Sequence, residues 1–183
     1  MAAYHIVLVH FPIALWMTAT LAILIRAVSN GPLAIAIDRA LVPLLSIGLL
    51  SGLLALAVGS QVWPWDTLST SPMGRNHMLW AVWTTAYWTL MLLTRWLQGS
   101  AVWHGPGRWI MALLAIIGAG LLGITGTLGG HLSGKYTDLA IVLNKLGWDV
   151  HRTFYLPDLT LIALALASAI LLFIGWRGSR AET

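Results

Sequence analysis

Five long apolar runs alternate with short polar breaks along the chain. The runs cover residues 6–29, 40–62, 78–97, 109–130 and 159–176. A helix of about 20 apolar residues crosses the roughly 30 Å of hydrocarbon in a bilayer, and all five runs have about that length. The pattern predicts an all-α integral membrane bundle of five transmembrane helices, which forms a single domain over residues 1–183.

Proline and glycine mark the breaks between these runs. Asn30, Gly31 and Pro32 separate the first run from the second. Pro12 lies near the start of the first run, where a missing N–H costs little, so we expect the regular helix to begin there. We expect the longest break to hold a short surface helix over residues 138–146.

The composition excludes a water-soluble globule. Hydrophobic residues make up 58% of the chain and charged residues 9%, against about 25% charged in a soluble domain. The absence of cysteine from the sequence excludes disulfides, thiolate metal sites, iron–sulfur clusters and covalently attached haem c. The net charge of +4 does not indicate nucleic-acid binding, because the basic residues are scattered beside the apolar runs.

The basic residues also predict the orientation. Alternating the loops places six of them on one side: Arg26, Arg39, Arg95, Arg108, Arg177 and Arg180. The other side holds four, together with four aspartates: Arg75, Lys135, Lys145 and Arg152. By the positive-inside rule the N-terminus lies outside and the C-terminus inside.

Five of the six histidines collect at the outer face in this topology. They are His5, His10, His77, His131 and His151, whereas His104 is an ordinary residue of a cytoplasmic loop. Imidazoles with no thiolate and few carboxylates suit one or two haem b groups with two axial histidines each, or a copper or zinc site. The first predicted haem pair is His10 with His77. The second is His131 with His151, and His5 is a substitute ligand; the same two pairs are the candidate ligands of a bare metal.

A stripe of glycines in the fourth run favours haem over a bare metal. Its members are three or four residues apart and lead towards His131: Gly120, Gly123, Gly126 and Gly130. A flat macrocycle could lie against this stripe, although close helix packing is the alternative explanation. Three basic residues beside the histidines are candidate partners of haem propionates or, equally, loop residues in water: Arg75, Arg152 and Lys135.

The segment HIVLVHFPIAL at residues 5–15 resembles a bacterial inner-membrane family of unknown function. The family signature is His-Pro, a few apolar residues, then Val-His-Phe-Pro-Ile, and RNH at 75–77 and GGHL at 129–132 resemble its later motifs. Members often occur beside or fused to cytochrome c domains, which implies redox work at the outer face and supports His5, His10 and His77. Ile6 stands where the family has proline. The resemblance does not support His131 or His151 as ligands.

These observations predict a membrane cytochrome b-like electron-transfer subunit in the bacterial inner membrane, embedded in lipid. It would pass electrons between quinone or quinol and a periplasmic cytochrome c or extrinsic dehydrogenase, as part of a larger complex and not as a catalyst alone. A copper- or zinc-binding membrane protein is one alternative, for which Met73 and Met78 could add ligands. A structural subunit without a cofactor is the other.

Overall fold

A computed structural model describes residues 1–147 and, beyond them, residues 149, 152, 162, 163, 165, 166, 169 and 170. The described residues between 162 and 170 are helical. His151 and the rest of the predicted fifth span lie outside the described residues.

The described part of the chain is helical and has no strand. Six α-helices and one 3₁₀ turn follow one another: α1 (Ala2–Val28), α2 (Pro32–Gly59), α3 (Trp65–Thr70), α4 (Pro72–Gln98), the 3₁₀ turn (Gly99–Trp103), α5 (Gly107–Leu132) and α6 (Asp138–Lys145). The all-α prediction is confirmed over these residues, and α6 confirms the short helix expected after the fourth run.

Among the described residues, three helices are long and apolar enough to cross a membrane: α1, α2 and α5. They coincide with the first, second and fourth apolar runs. The third run lies within α4, which is as long as α1. The count of five spans and the orientation stay predictions.

The start of α1 differs from the prediction. Regular helix begins at Ala2, ten residues before Pro12, which lies inside the helix. The first turn is closed by a hydrogen bond from the His5 N–H to the Met1 carbonyl. Tertiary contacts explain the extension, because His5 packs against Gly59 and Ala55 of α2. The expectation that the helix begins at Pro12 was wrong.

The four long helices form two hairpins that pack against each other. Helix α1 contacts α2 and α5, and α4 contacts α5 and α2, so α1 and α4 lie on opposite sides of the bundle. Their tryptophans meet across it: Trp16 and Trp88 stack with ring centroids 5.7 Å apart and planes 7° from parallel. This stacked pair is the centre of the apolar core.

Glycines on the neighbouring helices make room for both indoles. A Cβ at Gly48 would lie 2.6 Å from the Trp16 ring, and one at Gly52 would lie 2.8 Å from it. A Cβ at Gly118 would lie 2.9 Å from the Trp88 ring. The pair Gly48 and Gly52 therefore receives an aromatic side chain.

A cluster of charged side chains lies at the bundle end where α1 and α4 terminate. Asp38 of α2 accepts hydrogen bonds from Nε and Nη2 of Arg95, both at 2.9 Å, and from Nε1 of Trp103 at 3.0 Å. Arg26 lies 4.0 Å from the same carboxylate, and its guanidinium stacks over the Trp103 ring at 5.4 Å. One carboxylate thus ties together α1, α2, α4 and the 3₁₀ turn.

Candidate functional site: a histidine pair

His5 is held between α1 and α2. Its Nδ1 lies 3.1 Å from the carbonyl oxygen of Ala55. Since a carbonyl only accepts hydrogen bonds, Nδ1 carries the proton and Nε2 keeps its lone pair. The ring also touches Gly59, where a Cβ would lie 2.7 Å from Cε1. Two positions on α2 therefore fix the orientation and the tautomer of this imidazole.

His77 is held in the same manner between α4 and α5. Its ring touches Gly129, where a Cβ would lie 2.9 Å from Cε1, and it interacts with the backbone of Thr125. Its Nδ1 is buried and forms no hydrogen bond with any described residue.

Both imidazoles lie at the bundle end opposite the Asp38 cluster. His5 lies near the start of α1 and His77 near the start of α4, and each ring faces a glycine of the next long helix. Metal-binding histidines almost always donate their second ring N–H to a carbonyl, carboxylate or water, which leaves the other nitrogen for the metal. His5 has this arrangement, with the Ala55 carbonyl as the partner of Nδ1.

His10 does not join this pair. It is exposed, and its Nδ1 lies against the Ile6 carbonyl of its own helix. Five residues on an α-helix turn by about 140°, so His5 and His10 face different directions. The predicted pairing of His10 with His77 is therefore not present in the structure, and His5, predicted as a substitute, takes that place.

His131 lies apart from the pair, in the last turn of α5. Its ring meets the Tyr136 ring edge-on, with centroids 4.8 Å apart. His104 is exposed between the 3₁₀ turn and α5, as expected of a loop residue. No three His, Cys, Asp or Glu side chains among the described residues come together as a metal site.

The predicted glycine stripe of α5 does not face the histidine pair. A Cβ at Gly123 would meet Leu139 of α6, and one at Gly130 would meet the backbone of Lys135. At Gly120 and Gly126 a Cβ would meet no described atom within 4 Å. Among the glycines of α5, only Gly129, which lies outside the stripe, meets an imidazole.

The three basic residues proposed for propionates occupy different places. Arg75 lies on α4, two residues before His77, and is partly buried. Lys135 is exposed just after α5, where its N–H donates to the Gly130 carbonyl at 2.8 Å. Arg152 is exposed. Arg75 alone is within the same turn of helix as a member of the pair.

Two features of the site were missed in the sequence. Gly129 belongs to the GGHL motif, yet neither Gly129 nor Gly59 was assigned a contact with an imidazole, although each lies 11 residues after an earlier glycine. Asp38 was overlooked because it lies just before the second apolar run. A carboxylate at membrane depth is itself a signal of a specific partner, and Arg95 is that partner here.

Comparison with known proteins found no matching family model, no similar curated protein and no similar solved structure. The resemblance of residues 5–15 to an inner-membrane family therefore stays a prediction.

Proposed function

We propose that this chain is a membrane cytochrome b-like electron-transfer subunit that holds a haem b between His5 and His77. The observation that supports it most is that two imidazoles from different hairpins lie at the same end of the bundle, each set into a glycine recess. A pair of histidines is the complete protein ligand set of a bis-His haem, whereas structural zinc sites take four ligands.

Several buried polar atoms beside the histidine pair lack hydrogen-bond partners among the described residues, as expected if a ligand binds there. Nδ1 of His77 is buried without a hydrogen bond to a described residue. The next residue, Asn76, is fully buried, and neither its Nδ2 nor its Oδ1 bonds to a described residue. An unpaired buried polar group costs roughly 1–3 kcal/mol, which favours an additional partner at this end of the bundle.

The residues of the chain have distinct roles in this proposal. His5 and His77 would be the axial ligands, and the Ala55 carbonyl would keep Nε2 of His5 free for the iron. When bound, haem b carries one electron at a time, and two axial histidines leave no open position for oxygen.

The wider proposal keeps the topology and partners expected from the sequence. Five spans with the N-terminus outside place the pair near the periplasmic face of a bacterial inner membrane. Electrons would then pass between quinol or quinone in the outer leaflet and a periplasmic cytochrome c or extrinsic dehydrogenase. The short loops of the described chain favour a place within a larger complex.

The test is the visible spectrum of the protein purified in detergent, oxidised and then reduced with dithionite. We expect a sharp reduced α-band and a Soret shift, and a loss of most of the haem in His5→Ala and His77→Ala. His10→Ala is the matched control, because His10 is exposed on the same helix as His5, and it should keep the wild-type spectrum.

A folded wild-type protein with no Soret band contradicts the haem proposal. Copper or zinc found by elemental analysis would then favour the metal-binding alternative, for which Met73 is buried one turn before His77. A folded protein with neither haem nor metal would favour the structural subunit.

A further inference from the structure

The histidine and tryptophan pairs repeat with one spacing in the two hairpins. His5 precedes Trp16 by 11 residues, and His77 precedes Trp88 by 11 residues. Eleven residues are close to three turns of α-helix, so each histidine shares a helix face with its tryptophan. In both hairpins the first helix therefore presents an imidazole and an indole to the same side.

The glycines that receive these rings repeat in the same way. Gly48 and Gly59 are 11 residues apart on α2, as are Gly118 and Gly129 on α5. In each pair the first glycine meets a tryptophan and the second meets a histidine. The second helix of both hairpins therefore has one recess for each ring.

The positions around these rings correspond as well. Ala55 and Thr125 each lie four residues before the glycine that meets the imidazole. Both indole Nε1–H groups, of Trp16 and Trp88, are buried and unpaired among the described residues. The His–Trp spacing, the Gly–Gly spacing and the unpaired indoles thus recur in both hairpins.

The packing has the same symmetry. A half-turn about the long axis of the bundle exchanges α1 with α4 and α2 with α5, and it preserves all four helix contacts. The same half-turn exchanges the two stacked tryptophans, Trp16 of α1 and Trp88 of α4. Repeats related by an axis along the membrane normal are a common way to build membrane proteins.

We propose that the chain contains two copies of one helical hairpin, residues 2–59 and 72–132, in which Gly59 and Gly129 are equivalent positioning residues for two equivalent imidazoles. The nature of the ligand rests on the proposed function: a planar tetrapyrrole that takes one imidazole on each face. The duplication itself stands on the spacing and the contacts alone.

The two hairpins are not equivalent at the Asp38 cluster. Arg95 of α4 corresponds to Ile23 of α1, which is buried, whereas Arg95 is partly buried and pairs with the Asp38 carboxylate. The two hairpins are therefore alike at the histidine end and different at the opposite end, as expected where one symmetric ligand is held at one end only.

The first experiment measures thermal unfolding of Gly59→Ala and Gly129→Ala in detergent. Each new Cβ would lie under 3 Å from an imidazole, and we expect both variants to lose a similar amount, roughly 2–10 °C in Tm. Gly126→Ala on α5 is the matched control and should lose nothing. In a His5→Ala background Gly59→Ala should no longer lower Tm, and in a His77→Ala background Gly129→Ala should no longer lower it. This rescue of Tm should be equal in the two hairpins, and it also tests the contact where a single glycine variant fails to fold.

The second experiment uses the holoprotein and asks whether the two ligands are equivalent. His5→Met and His77→Met each give a His/Met iron, which raises the midpoint potential. Equivalent ligands predict the same rise in both variants, and predict that Gly59→Ala and Gly129→Ala change the ferric low-spin electron paramagnetic resonance signal alike.

The outcomes separate this inference from the proposed function. Unequal Tm losses, unequal rescue or unequal potentials overturn the equivalence, even if haem is present. Equal Tm losses and equal rescue in a protein without haem support the duplication and overturn the cytochrome.

Discussion

Single residues decide how this bundle accommodates charge. The Asp38 carboxylate is 7% exposed and receives three hydrogen bonds, from Arg95 and Trp103. Arg26 adds a second positive charge beside it. Removing one member of a buried ion pair is far more destabilising than never having the pair, because the partner charge stays desolvated.

We therefore expect Asp38→Ala to lower the free energy of unfolding by about 3–5 kcal/mol. The substitution leaves two guanidinium groups buried at one bundle end without their carboxylate. Thermal unfolding in detergent measures the loss. Arg39→Ala is the control, since Arg39 is the exposed neighbour of Asp38 on the same helix and its removal also changes the charge by one. Equal losses in the two variants would contradict the importance of the cluster.

At the level of helices, pairs of glycine and aromatic residues set the distances between elements. Trp16 reaches from α1 into the space above Gly48 and Gly52 of α2. Tyr87 of α4 extends across to α5, where its hydroxyl donates to the Leu114 carbonyl at 2.6 Å. Helices that lack a hydrophobic driving force between them in lipid pack through such small residues and interhelical hydrogen bonds.

Gly48→Ala should destabilise the bundle by about 1–3 kcal/mol, because the added methyl group overpacks against the Trp16 ring. The measurement is Tm in detergent, with Gly120→Ala as the control at a glycine where a Cβ meets no described atom. In the double variant with Trp16→Leu, the effect of Gly48→Ala should shrink markedly, since the atoms that clash are gone. Fully additive losses would show that the indole is not the cause.

At the level of the whole molecule, the orientation in the membrane remains a prediction of the basic residues. Arg95 and Arg108 flank the loop between α4 and α5, and α3 lies at the opposite end of the bundle. Arg26 and Arg95, counted as orientation signals in the sequence, also bind Asp38 in the structure. The positive charge at that end therefore contributes to packing as well as to the predicted topology.

The absence of cysteine makes this orientation directly measurable. Thr67→Cys in α3 and Ser100→Cys in the 3₁₀ turn each introduce one thiol at an exposed position. In intact spheroplasts a membrane-impermeant maleimide should label Thr67→Cys at once and Ser100→Cys only after lysis. The reverse labelling would invert the orientation, and labelling of both positions in intact spheroplasts would contradict a membrane crossing by α4, which lies between them.

The sequence by itself determined the all-helical, apolar character of the chain, because a backbone in lipid must satisfy its hydrogen bonds locally and apolar length alone reports that. It also placed α6 and grouped most of the histidines at one end. Only the tertiary structure decided that His5 rather than His10 meets His77, that Gly129 rather than the neighbouring stripe receives a ring, and that Asp38 joins two arginines. Each of these depends on the rotation of one helix against another, and helix rotation is set by side chains far apart in the chain.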